Sequence, residues 1–400
     1  MQTKAQSIQT GWQVVIAGFC INLALGILYT WSIFKDAIKN EFGWQLDQLN
    51  DPYALCVLVF SFTMILAGYC QDKWGPKLTI FIGGLLVGSG FFILSSTNSY
   101  ALWLLGFGVF CGTGIAFAYA SATPSAIKWF PDKTGFVVGL VIAGFGLAPA
   151  YLAPLSTHLL AQYGLLHTAL ILGVAFTLAV CALSQLIVNP PTHTDKAVNS
   201  PLKTTNPHST PSLLKQSQFW LLWVLYFIGA GAGLMVIGSI SGMAKHSMGE
   251  QAFIALVLLA IGNAGGRIIS GLLSDKFGRK ITLIGFFIFQ ALMMFLAVPI
   301  VGGVDKSAFL LMLIATLIGL NYGSNLSLFP SLTKDLWGVQ NFGTNYGFLF
   351  TAWGVGGFVM SRLEAMLFAM NGHGDYTSSF VAAGVLLVIG AALATLIQHK

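Results

Sequence analysis

Apolar residues fill this chain in runs of about twenty, broken by short polar connections, the spacing expected of helices that cross a bilayer. Twelve such runs stand near 12–34, 53–71, 78–96, 100–123, 135–157, 165–189, 218–243, 251–273, 281–301, 307–330, 342–368 and 377–397. The opening residues MQTKAQSIQT are polar and the run after them is long enough to remain a helix, so no separate signal peptide is expected. The pattern predicts an all-α membrane protein.

One run breaks the rule. The eighth carries Arg267 on an otherwise apolar helix, with Asn263 four residues earlier on the same face. An arginine at mid-helix costs roughly 2.5–3.5 kcal/mol to insert, so it calls for a partner. Asn263 can orient the guanidinium but cannot neutralise it. Two readings fit: the missing charge is a small carboxylate substrate held through two parallel hydrogen bonds, or Arg267 snorkels toward Asp275, eight residues on.

Composition agrees with the pattern. Hydrophobic residues make up 56% of the 400 and charged ones only 8%, against about 25% in a soluble domain. With the N-terminus inside, 13 of the 19 Lys and Arg fall in inner connections, 4 in outer ones and 2 within spans, which puts both termini in the cytoplasm. The net charge of +6 follows from that bias; the basic residues are dispersed, and no nucleic-acid partner is implied. Cys20, Cys56, Cys70, Cys111 and Cys181 have no paired spacing and read as small apolar residues. No cofactor, metal or catalytic constellation is expected, since no span holds paired carboxylates, a His and Cys cluster or a phosphate-cradling glycine loop.

Residues 190–216, rich in Pro, Ser and Thr, read as a cytoplasmic linker between a six-helix bundle at 1–189 and another at 217–400. The halves repeat. Gly68, Asp72, Lys73, Gly75 and Lys77 recur as Gly271, Asp275, Lys276, Gly278 and Lys280 at an offset of 203; Pro124, Ser125 and Lys128 recur as Pro330, Ser331 and Lys334; Gly135 and Gly139 recur as Gly343 and Gly347 at 208. Repeated halves place a binding site at their interface near the midplane. Arg267 and Asn263 map onto Met64 and Phe60, so the polar pair has no counterpart in the first half.

Other polar residues leave alternatives open. Tyr29 suits pocket or membrane interface, Trp31 the interface, and Tyr119 a pocket or a satisfied core position. Lys35 to Asp51 reads as an outer loop, and Pro149 and Pro154 should bend the fifth span after Phe145. Asn321, Tyr322, Ser324 and Asn325 suggest a cavity wall, with interhelical hydrogen bonding expected for Asn325. Arg362 and Glu364, two apart, read as a structural pair or an outer gate, each partnered on another helix.

The six-plus-six layout and twin D-K-x-G-x-K segments resemble the major facilitator superfamily. ALGILYTWSIF at 24–34, KWFPDK at 128–133 and NYGF at 345–348 resemble more narrowly the oxalate:formate antiporter family and its bacterial monocarboxylate transporters. The resemblance implies two pseudo-symmetric bundles in the cell membrane, a bacterial inner membrane by analogy, and a monomer. It implies that Leu28, Tyr29, Tyr119, Phe145 and Tyr322 line the substrate site beside Arg267 and Asn263, and that Asp72, Lys73, Asp275, Lys276 and Arg279 form a cytoplasmic latch. Oxalate-exchanging members carry a lysine where this chain has Trp353, so a monoanion such as lactate or pyruvate is expected. Proton symport is implied, substrate and proton being taken up together at Arg267, with His158 a weaker proton site. The alternatives are a carboxylate exchanger, a drug or sugar carrier, and a nontransporting carboxylate sensor.

Overall fold

The structure, a computed structural model, describes residues 4–190, 213–248, 253–302, 307–371 and 375–398, and every regular element among them is helical. Helix α1 runs over Lys4–Leu25, tightens into a 3₁₀ turn at Gly26–Thr30 and continues as Trp31–Phe42. α2 is Leu46–Trp74, α3 is Pro76–Ser95, and α4 spans Tyr100–Trp129 with π-helical turns at Leu104–Cys111. α5 and α6 share the stretch Thr134–Ser184, divided where Gly164 takes a φ of 70°. The second half holds α7 (Ser217–Met248), α8 (Phe253–Phe277), α9 (Arg279–Val301), α10 (Ala308–Trp337), α11 (Phe342–Asn371) and α12 (Thr377–Ala394). The expected linker lies mostly, at 191–212, outside the described residues.

The outer connection after α1 is shorter than the hydropathy pattern implied. Trp31, Phe34 and Ile38 recur at helical spacing and are buried, so α1 continues to Phe42, where Gly43 ends it in the left-handed region. Trp31 is a core residue rather than an interface marker: its indole donates to the Leu49 carbonyl at 2.9 Å and its ring lies 4.2 Å from that of Phe107. The D-K-x-G-x-K segments are likewise not loops. Asp72, Lys73, Asp275 and Lys276 sit in the last turns of α2 and α8, and only Gly75 and Gly278, at φ 85° and 90°, make the turn.

Two crossings join the halves, α5 on α8 and α2 on α11. They obey the repeat. Gly135 meets Gly271, Gly139 meets the Arg267 carbonyl and Gly146 meets Asn263; 208 or 203 positions away, Gly343 meets Gly68 and Gly347 meets the Met64 carbonyl, while Gly354 meets Ser61, one residue past the counterpart of Asn263. Lipid offers helices no hydrophobic drive to associate, so close backbone approach through small residues supplies the packing. Inside the second half, Gly266 lies directly against the Leu320 carbonyl and fixes α8 on α10.

A methyl group on Gly266 has no room against that backbone, so Gly266→Ala should lower stability by about 1–3 kcal/mol, as overpacking does. A depressed unfolding midpoint of the purified protein in detergent checks it, and an unchanged midpoint would show that α8 and α10 part freely.

Candidate functional site

The i,i+4 spacing on α8 sets the centre of the site. Arg267 is fully buried, and its Nε donates to Asn263 Oδ1 at 3.0 Å. One terminal nitrogen, NH1, donates across the interface to the Ile142 carbonyl on α5. The other, NH2, is buried without a hydrogen-bond partner. Among the described residues the ion pairs are those of Arg279 and Lys334, and none involves Arg267. A buried donor left unpaired costs roughly 1–3 kcal/mol, more when charged, so this cation is under-satisfied.

Aromatic side chains from both halves wall it. The 3₁₀ turn of α1 packs Gly26 against Ala148 and the Phe145 carbonyl, an approach only glycine permits. That turn brings the Tyr29 ring edge-on to Phe145 at 5.2 Å and its hydroxyl within 2.7 Å of the Tyr322 hydroxyl on α10. Trp353 on α11 donates its indole N–H to the same Tyr322 oxygen at 2.9 Å. Tyr119 stands 5.5 Å from Phe145, and its buried hydroxyl has no partner. Leu28 is fully buried in the 3₁₀ turn.

Sequence reasoning missed four aromatic residues here. Phe60 on α2 contacts Phe145, Tyr119, Phe350 and Trp353, with ring centroids 5.1–6.1 Å away. Phe350 stacks on Trp353 at 5.0 Å, and the Tyr346 and Tyr226 hydroxyls lie 3.3 Å apart. The one available signal was Phe60's place in the repeat, opposite Asn263.

The other polar residues of α10 turn away from that role. Asn321, Ser324 and Asn325 donate to carbonyls of their own helix, so the interhelical hydrogen bond expected of Asn325 is replaced by one to Asn321 O at 3.0 Å. His158 is exposed on α5. Arg362 is exposed, its guanidinium carbon 5.4 Å from the centroid of Phe358 on its own helix, while Glu364 is buried. The two therefore occupy different faces of α11 and do not pair with each other.

At the end of the bundle where the termini lie, two carboxylates cap helices of the opposite half. Asp275 accepts the N–H groups of Gly135 and Phe136 at 2.9 and 2.8 Å, and Asp72 accepts those of Gly343 and Thr344 at 3.1 and 2.8 Å plus the Thr344 hydroxyl at 2.8 Å. Each anion sits on the positive end of a helix, at α5 and at α11. Arg279 joins only the Asp275 cluster, bonding Asp275 at 2.6 Å and Asp335 at 2.9 Å; its repeat counterpart is Pro76. Lys73 and Lys276 are exposed and lie over aromatic rings of their own helices, apart from both clusters.

Among the described residues, helices in repeated halves cross around a buried cation with an incomplete set of partners, the layout of a polytopic membrane protein. The sequence matches the Major Facilitator Superfamily family model over residues 14–361 and again over 236–399, and the chain belongs to that superfamily: it is a multi-pass membrane transporter and not an enzyme. It is 27% identical to the oxalate:formate antiporter of Oxalobacter formigenes over 96% of this chain and 90% of that protein. It is 26% identical to monocarboxylate transporter 11 of Homo sapiens over 95% of this chain and 81% of that protein. A crystal structure of the Escherichia coli fucose:proton symporter FucP shares the fold, with a TM-score of 0.73 at 14% identity, covering 97% of this chain and 98% of that one.

The unequal clusters make a measurable difference. Asp275→Asn removes an anion from Arg279 as well as from the α5 terminus, whereas Asp72→Asn disturbs a cap alone. The first should cost about 1.5–3 kcal/mol of stability, the range for hydrogen bonds to charged groups, and more than the second. Thermal unfolding of both variants in one detergent decides it; equal losses would mean that Arg279 adds nothing.

Proposed function

We propose that this transporter carries small monocarboxylates such as lactate or pyruvate by alternating access, a proton travelling with the anion. The observation that carries the reading is the guanidinium of Arg267, buried between the halves with one nitrogen unpaired and, among the described residues, no carboxylate paired with it. A substrate carboxylate supplies that charge and accepts from NH2, with the unpaired Tyr119 hydroxyl as a further donor from the first half. The kinship with an oxalate:formate antiporter and with monocarboxylate transporters supports the same substrate class.

A single cation suits a single negative charge. Trp353, at the position where the family resemblance implies a lysine in oxalate-exchanging members, adds bulk and no charge, which favours a monoanion over a dianion. The coupling follows from desolvation: the halves close over Arg267 most favourably when a carboxylate compensates it. Asp72 and Asp275, each holding a helix terminus of the opposite half, act as the cytoplasmic latch in this scheme, and Arg279 ties the second clasp.

Two experiments test the reading. Purified protein should gain thermal stability with millimolar lactate or pyruvate and less with oxalate, and Arg267→Lys, which loses the planar fork, should weaken that binding by about 10–100-fold, as expected for hydrogen bonds worth roughly 1.5–3 kcal/mol. Wild-type binding by a well-folded Arg267→Lys protein would overturn the site. In proteoliposomes loaded with a pH dye, uptake should acidify the interior; uptake without acidification, and only against internal carboxylate, would make the protein an exchanger.

Adding the second cation should move the preference. Trp353→Lys is expected to raise oxalate binding relative to lactate by at least about tenfold, one charge-assisted hydrogen bond's worth. An unaltered ratio from competition measurements would remove Trp353 from the account of charge selection.

A further inference from the structure

We propose that Phe60 sets the size of the acid this transporter accepts. The inference rests on the carboxylate reading above and goes beyond it by assigning the other end of the substrate. Subtracting the repeat offset of 203 from Asn263 and Arg267 gives Phe60 and Met64, so α2 presents apolar side chains where its twin α8 presents the polar pair. Phe60 is almost completely buried, and its ring meets Tyr119 (5.5 Å) and Phe145 (6.1 Å) from the first half and Phe350 (5.1 Å) and Trp353 (5.4 Å) from the second. It therefore occupies the middle of the aromatic wall.

Trp353 is tied to the Tyr322 hydroxyl and stacked on Phe350, and Tyr119 stands edge-on to Phe145. Phe60 carries no polar atom and anchors no hydrogen bond, so shortening it enlarges the space without disturbing the donors that hold the carboxylate. An acid whose head is fixed at Arg267 lays its tail against this wall, and Phe60 is the ring it must displace or abut. In an apolar pocket each methylene-sized change in fit is worth about 1–3 kcal/mol, or roughly 10–200-fold in discrimination.

The test is a size series in proteoliposomes: pyruvate, its ethyl and isopropyl homologues, and phenylpyruvate, compared as uptake relative to pyruvate. Phe60→Ala should raise the ratio for the isopropyl homologue by about tenfold or more, the low end of that range, and Phe60→Leu should raise it by less in the same direction. Because Phe60→Ala empties a large volume and can misfold, Phe60→Leu decides the matter where the alanine variant fails to reconstitute. Ratios within twofold of wild type in every folded Phe60 variant, with wild type taking up pyruvate normally, would reduce Phe60 to packing and overturn the inference alone. A wild type that takes up none of these acids would overturn the carboxylate reading, and this inference with it.

Discussion

A charge removed from water and given too few partners is the constraint around which this molecule is arranged. Arg267 spends Nε on Asn263 of its own helix and NH1 on the Ile142 carbonyl of the opposite half, and NH2 has no hydrogen-bond partner among the described residues. Both partners are neutral. A guanidinium has no accessible neutral form, unlike a buried lysine, which can lose a proton, or a buried carboxylate, which can gain one. Relief has to come from an anion that enters or from water that re-enters when the halves separate, and either route couples occupancy of the site to the relative position of α5 and α8.

On the proposed reading that coupling is sharpened because, at the two crossings, the halves meet backbone to backbone. Where Gly139 faces the Arg267 carbonyl and Gly347 the Met64 carbonyl, no side chain lies between the helices to deform. Such a contact is either made or lost over a small displacement, since interdigitated packing yields in steps rather than continuously. The pseudo-twofold relation applies the condition twice, at α5 on α8 and at α2 on α11. Its ends are furnished unequally, however: Arg279 pairs with Asp275 and Asp335 inside the second half, whereas its counterpart Pro76 supplies no cation beside Asp72.

Much of this was legible in the sequence for a physical reason. The bilayer forces every backbone group to be satisfied within its own segment, so span count follows from run length, and a twice-occurring Gly at a turn marks positive φ, as at Gly75 and Gly278. The Asn263 and Arg267 spacing likewise fixed a shared helix face. What failed was anything that depends on which side of an apolar helix meets which neighbour. Trp31 looked like an interface residue and is packed under Phe107; Asn325 looked like interhelical glue and bonds its own backbone; Lys73 and Lys276 sit in the repeated motif yet point away from the clasps. Phe60, Phe350, Tyr226 and Tyr346 carried no signal by composition, because one more ring in a chain with 31 Phe and 11 Tyr is unremarked until helices from both halves bring several together.

The repeat then explains how a symmetric scaffold holds an asymmetric substrate. Phe145 and Trp353, 208 positions apart, are twins that stayed aromatic, and each packs on Phe60. The α2 and α8 twins diverged instead, one keeping Phe60 and Met64, the other Asn263 and Arg267. On the proposed reading this gives the two ends of an acid to different halves, the carboxylate to α8 and the tail to α2. Neither half then holds the molecule alone, and the free energy of contact with both ends is gained only when the halves are together. A ligand with a charged end but no tail, or the reverse, engages one half and contributes little to closing them. On that reading, selection for a small organic acid and the drive to occlude it come from the same division of the site.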